Sequence, residues 1–160
     1  MKIRIPVKPV AVIDFEFEAE AAQFLPDYVK PLRPASIKGK LTKKDDGYRA
    51  EGTINYSFEY NCDLCIKESQ FYKTVNFDEI FTKNAQDQEA YHFEGDIVDI
   101  TQLAIDAIVL SLPSRLICKP DCKGLCPVCG TDKNIKECGC KNEKTANNPF
   151  EILKGIGGEK

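Results

Sequence analysis

The chain contains no tryptophan, one methionine and one histidine. The lone histidine removes most catalytic designs at once, because no Ser/His/Asp arrangement can be built without His92. Its neighbours Tyr91 and Phe93 suit a packed or near-surface ring better than a base. No apolar run approaches the ~18 residues of a bilayer-spanning helix. Residues 1–12 lack an apolar stretch followed by a small-residue cleavage site, so the expectation is a cytoplasmic protein. A GxxxxGKS/T phosphate loop is missing as well, and Gly155, Gly157 and Gly158 are too closely spaced to supply one. Strong positive charge is also absent: 22 Lys and Arg stand against 25 Asp and Glu, a net of −3, unlike a dedicated nucleic-acid-binding domain.

What the chain has is an ordinary globular balance and eight cysteines. Hydrophobic residues make up 42% and charged residues 29%, which excludes wholesale disorder. Charge is unevenly spread. Residues 1–113 carry 13 basic and 19 acidic side chains, and residues 114–160 carry 9 and 6. The first part is therefore a poor coat for a phosphate backbone, while the second could touch one locally.

In a reducing compartment, clustered cysteines point to metal or redox chemistry and not to a disulfide framework. Six of the eight fall between Cys118 and Cys140, and Cys62 and Cys65 form a separate tight pair. Zinc takes four thiolates in a tetrahedron, and CxxC lets one turn deliver two of them. Cys126-Pro127-Val128-Cys129-Gly130 has the form of a zinc knuckle, with Gly130 free to take the positive φ such a turn needs. Cys138-Gly139-Cys140 can supply the second pair. Cys118 and Cys122 are then left over. Either they join Cys62 and Cys65 around a second ion, or they replace one pair in a single site. Spacing leaves one or two structural Zn2+ ions open. Four thiolates leave no coordination position for water, so such a metal is structural and the protein is not expected to be an enzyme. A redox CxxC usually opens a helix, and Cys62–Cys65 lies between strands.

The expected fold is α+β: an antiparallel β-sheet or partly open barrel, one main packing helix, and a C-terminal cysteine-rich zinc-binding tail. The boundary falls between residues 113 and 114. Strands are read from period-two alternation over 10–18, 35–44 and 69–77. The clearest is Tyr48–Tyr60, with Tyr48, Ala50, Gly52, Ile54, Tyr56, Phe58 and Tyr60 on one face. Gly52 in mid-strand reads as a bulge or barrel corner. Asp46-Gly47 marks a hairpin turn. Pro26–Pro34 reads as a loop, since proline cannot donate to a ladder, and 83–91 as a polar loop. A helix opens near Asp99, with Gln102 in the capping-box position, follows Ile100, Leu103, Ala104, Ala107, Ile108 and Leu112, and ends at Pro113. A short helix is expected around Pro149–Lys154.

Leu112-Pro113, the run Cys118-Lys119-Pro120-Asp121-Cys122-Lys123-Gly124-Leu125-Cys126-Pro127-Val128-Cys129-Gly130, Asn134, Cys138-Gly139-Cys140 and the closing Asn148-Pro149-Phe150-Glu151-Ile152-Leu153 together resemble the YceD family. The resemblance implies a β-rich first domain with a CxxC between strands, here Cys62–Cys65. It also implies a part in large-subunit ribosomal RNA accumulation, and therefore in ribosome biogenesis, in bacteria or plastids. The partner it implies is a ribosomal RNA precursor or a ribosomal protein of the large subunit, with no small-molecule substrate. Arg115, Lys119 and Lys123, with Lys133 and Lys136, are the candidate phosphate contacts. Many family members carry arginine between the hairpin cysteines, where this chain has Asp63-Leu64, and some lack the C-terminal cysteines. Zinc then reads as a stabiliser of one branch. The alternatives are a zinc-stabilised adaptor or chaperone, suited by the acidic first domain to a basic ribosomal protein, and a thiol redox sensor.

Overall fold

The structure, a computed structural model, describes residues 1–140 except Pro9 and Ala85. Its centre is an antiparallel meander. Strand β2 (Val12–Ala19) pairs with β4 (Ala35–Lys44), β4 with β5 (Gly47–Asn61), and β5 with β6 (Glu68–Thr82). Two short pieces extend it: β3 (Lys30–Pro31) pairs with β5 beyond the start of β4, and β7 (Tyr91–His92) runs parallel to β6. Strands β1 (Lys2–Arg4) and β8 (Ile97–Asp99) form a separate two-stranded ladder that leads into helix α1 (Thr101–Ser111).

The alternation along β5 dictates a sheet with one dry face. Tyr48, Ala50, Ile54, Tyr56, Phe58 and Tyr60 are buried, as are Ile37 and Leu41 of β4 and Phe77 and Phe81 of β6. The other face carries charge, including Arg49 held by both carboxylate oxygens of Asp78 at 2.7 and 2.5 Å. Helix α1 covers the dry face with Leu103, Ala104 and Ile108. It is fastened by Tyr91, whose hydroxyl donates to Asp106 at 2.8 Å, and by Tyr56 against Ser111 at 2.7 Å. Lys73 donates to the Ser111 carbonyl at 2.6 Å, a cation at the negative end of the helix.

Several expectations need correction. The sheet is open and not a barrel, running from β2 at one edge to β7 at the other. Gly52 is no bulge or corner, because the β4–β5 and β5–β6 registers run through it unbroken. It sits opposite Gly39, with Phe15 and Phe77 as the next residues outward in the same row. Their rings meet over the glycines at 6.4 Å between centroids, nearly parallel. A Cβ on Gly52 would lie 2.6 Å from the Phe77 ring. Residues 26–34 are not all loop, since Lys30–Pro31 pairs with Phe58–Glu59 at a point where proline's missing donor is tolerated. The strand expected over 69–77 runs on to Thr82. The hairpin turn is Asp45–Asp46, with Gly47 already in β5. The helix starts at Thr101, whose N–H donates to the Asp99 carboxylate at 2.9 Å. Gln102 does not close a capping box; its amide donates forward to Asp106 at 2.8 Å. The helix expected around Pro149–Lys154 lies outside the described residues.

Candidate metal centre

The long β5–β6 hairpin ends in Cys62-Asp63-Leu64-Cys65-Ile66, and this turn has a definite backbone plan. The Cys62 N–H donates to the Lys67 carbonyl at 2.9 Å, and the Ile66 N–H returns to the Cys62 carbonyl at 2.9 Å. Ile66 sits at φ +61°. The turn Cys126–Gly130 repeats the plan: the Cys126 N–H donates to Thr131 at 2.8 Å, the Gly130 N–H to Cys126 at 2.9 Å, and Gly130 has φ +72°. Both turns point two sulfurs the same way.

Each pair meets a second pair. Cys62, Cys65, Cys118 and Cys122 gather in one group, and Cys126, Cys129, Cys138 and Cys140 in another, with all four sulfurs of each group within 4.8 Å of one another. In the first group the Cys62 and Cys122 sulfurs are 3.9 Å apart, and those of Cys65 and Cys118 3.6 Å. These separations are far too long for a disulfide of ~2.05 Å. Four thiolates at ~2.3 Å from a tetrahedral zinc stand about 3.8 Å apart, so the donor set fits that ion. Of the arrangements that spacing left open, the structure displays two groups of four.

The thiols are electrostatically uneven. Burial pushes the Cys62 thiol up, but N–H groups of Cys118, Cys65 and Leu64 outweigh it and bring the thiol down to about 6. The Cys118 N–H lies 3.3 Å from that sulfur. Cys118 itself is pushed up to about 12, first by burial and then by the thiols of Cys122, Cys65 and Cys62. In the second group the Thr131 hydroxyl, 3.2 Å from the sulfur, leads in bringing Cys129 down to about 6. Its sulfur in turn leads in pushing Cys140 up to about 12. Thiolate crowding of this kind is what a bound dication relieves.

Residues between the cysteines lock the tail to the hairpin. The Asp63 N–H donates to the Leu116 carbonyl at 2.8 Å, and the Asp63 carboxylate accepts from the Leu116 N–H at 2.7 Å. The Tyr60 hydroxyl donates to the Ile117 carbonyl at 2.9 Å. The Leu125 N–H donates to Leu64 at 2.8 Å, and Gly124 packs against the same residue. Asn134 reaches back to the first group from the segment between Cys129 and Cys138: its side-chain oxygen accepts from the Lys123 N–H at 2.9 Å, and its amide lies 3.5 Å from the Cys122 sulfur. Sequence reasoning missed Ile66, Asp63 and Leu64 in these roles; Asn134 was visible only as part of a family motif. The candidate phosphate contacts fare differently. Arg115 is exposed and makes no ion pair among the described residues, whereas Lys119 faces Asp121 at 3.5 Å and Lys123 faces Glu137 at 3.7 Å. His92 is exposed, with Nε2 3.0 Å from the Asn84 carbonyl. Among the described residues, no helix is long and apolar enough to cross a membrane.

An open antiparallel sheet whose longest hairpin contributes half of a four-thiol cluster, followed by a second such cluster, defines a β-domain with a metal-knuckle tail. Residues 50–157 match the family described as large ribosomal RNA subunit accumulation protein YceD, and the chain belongs to that family. It is similar to an uncharacterized protein of Mycobacterium tuberculosis, 29% identical over 98 residues that cover 57% of this chain and 47% of the relative. An uncharacterized protein of Mycobacterium leprae is 26% identical over 105 residues, covering 61% and 48%. The uncharacterized protein YlbN of Bacillus subtilis is 23% identical over 112 residues, covering 67% and 65%. The chain thus spans about half the length of its mycobacterial relatives. No solved structure matches it.

Proposed function

We propose that this protein is a non-catalytic, cytoplasmic ribosome-biogenesis factor that supports accumulation of large-subunit ribosomal RNA. The observation that carries the reading is the family match, which runs from β5 through both thiol groups. In this reading Cys62, Cys65, Cys118 and Cys122 hold one structural Zn2+, and Cys126, Cys129, Cys138 and Cys140 hold another. Saturated thiolate ligation leaves the metal no open position, so its task is to staple a tail, residues 114–160, onto a sheet domain, residues 1–113. The stapled surface meets precursor ribosomal RNA, with exposed Arg115 the most available of the basic contacts and Lys119 and Lys123 partly satisfied by their own carboxylates.

The acidic excess of residues 1–113 favours a second reading, an adaptor or chaperone for a basic ribosomal protein of the large subunit. Crosslinking the tagged protein in cells and identifying what is recovered separates the two. Precursor ribosomal RNA supports the first and a ribosomal protein the second. Depletion that leaves large-subunit ribosomal RNA unchanged would remove both. Thiols that react freely before any chelator is added would instead favour a redox sensor.

A further inference from the structure

The ladder on one side of β5 has a gap. Strand β4 pairs with β5 only as far as Ser36 opposite Asn55, and β3 takes over at Pro31 opposite Phe58. Between them Leu32 stays attached through its N–H to the Ser57 carbonyl at 3.1 Å. The gap opens a cavity of about 370 Å3, on the face away from α1, lined by Arg33, Ser36, Asn55, Ser57, Tyr72 and Thr74. Tyr56 and Lys73 also border it, but their side chains reach Ser111 on the opposite face and lend it only backbone.

Its chemistry is distinctive for this domain. Among the described residues no carboxylate lines it, although acidic residues outnumber basic ones over residues 1–113. The Arg33 guanidinium lies 5.7 Å over the Tyr72 ring. Tyr72 is 58% exposed, and its hydroxyl is held by Gln70 at 2.7 Å. Asn55 accepts from the Thr74 hydroxyl at 2.6 Å, which leaves its amide NH2 to donate. Ser57 is 2% exposed, and its hydroxyl has no hydrogen-bond partner among the described residues. A buried hydroxyl left unpaired is costly to the fold, and a ligand can remove that cost.

An aromatic plane, a guanidinium and a group of uncharged donors form the set that receives an unpaired nucleotide. The base stacks, its polar edge meets the donors, and the phosphate meets arginine. The volume lies near the low end of the ~300–1,000 Å3 range of small-ligand sites, room for a single nucleotide and too small for a duplex. We infer that this cavity binds one unpaired nucleotide of single-stranded RNA. The inference rests on the RNA-binding reading above and adds a site separate from the basic residues of the tail.

Fluorescence anisotropy of the zinc-loaded full chain with a short fluorescein-labelled oligouridylate tests it. Tyr72→Ala is expected to weaken binding about tenfold, and Tyr72→Phe to stay within about twofold of the parent chain, because stacking needs the ring and not the hydroxyl. Arg33→Ala is expected to weaken binding and flatten its salt dependence. Both side chains are surface-exposed, and an unchanged thermal midpoint confirms that the variants fold. If the oligouridylate binds, Tyr72→Ala has no effect and Arg115→Ala does, this site is overturned while RNA binding stands. If no RNA binds the parent chain, the site and the RNA reading fall together, and the adaptor reading remains for the crosslinking experiment.

Discussion

The turns Cys62–Ile66 and Cys126–Gly130 share hydrogen bonds, sulfur placement and a left-handed residue after the second cysteine, yet one places isoleucine there and the other glycine. A β-branched residue at positive φ is a backbone outlier, costing roughly 1–2 kcal/mol. Ile66 is 64% exposed, so packing does little to offset that cost. The difference lies in what holds each turn. Cys62–Ile66 closes a hairpin whose two strands run fifteen residues each. Cys126–Gly130 is flanked by a single bridge, Leu125 to Asp132. Where a scaffold over-determines the backbone, the local sequence can go against it; where none exists, glycine must do the work itself.

The largest test of this comparison removes a ligand. Structural zinc contributes on the order of 10 kcal/mol to small sites. Cys65→Ser is expected to leave one zinc per chain by native mass spectrometry and to free residues 114–125 for proteolysis. Cys129→Ser is expected to show the same stoichiometry with the thermal midpoint of the sheet unchanged. Equal loss of sheet stability in both variants would erase the distinction between scaffolded and unscaffolded turns. Next comes Gly124→Ala. Its φ is +67° and the added Cβ would lie 2.9 Å from the Leu64 carbonyl oxygen, so denaturant unfolding of the tail should show a loss of about 2 kcal/mol.

Gly130→Ile imposes on the second turn what the first already bears. Among the described residues nothing lies within 4 Å of the new Cβ, so the cost is conformational, roughly 1–2 kcal/mol, read as weaker retention of the second ion against a chelator. Ile66→Gly is the smallest change and runs the other way. Relief of strain exceeds the added entropy of the unfolded chain, for a gain of about 0.5 kcal/mol. A loss of stability at this position would show that Ile66 earns its place by packing.

The parts of the fold that follow from local patterning were legible. Strand β5 was read almost to its ends because its alternation is continuous, and α1 because its apolar spacing and Pro113 bound it. Strands β1, β3, β7 and β8 were missed: each is two or three residues long and exists only by pairing with a segment that its own local pattern does not specify. The same limit held at the cysteines. Knuckle geometry at Cys126–Gly130 is local and carries a glycine. The partnership of Cys62 and Cys65 with Cys118 and Cys122 depends on the hairpin meeting the tail across more than fifty residues. Ile66 concealed the first knuckle by breaking the rule that revealed the second.

The row Phe15–Gly39–Gly52–Phe77 has a consequence for association between molecules. Strand β2 is an edge, and an exposed edge invites pairing with another chain. Because the two central positions carry no side chains, the Phe15 ring reaches past β4 and β5 to the Phe77 ring on β6. The edge strand is thereby clasped to a strand with which it shares no ladder. Peeling β2 away would break that aromatic contact and wet two glycine backbones in one movement, so the clasp guards the sheet against exchanging its edge strand with a second copy.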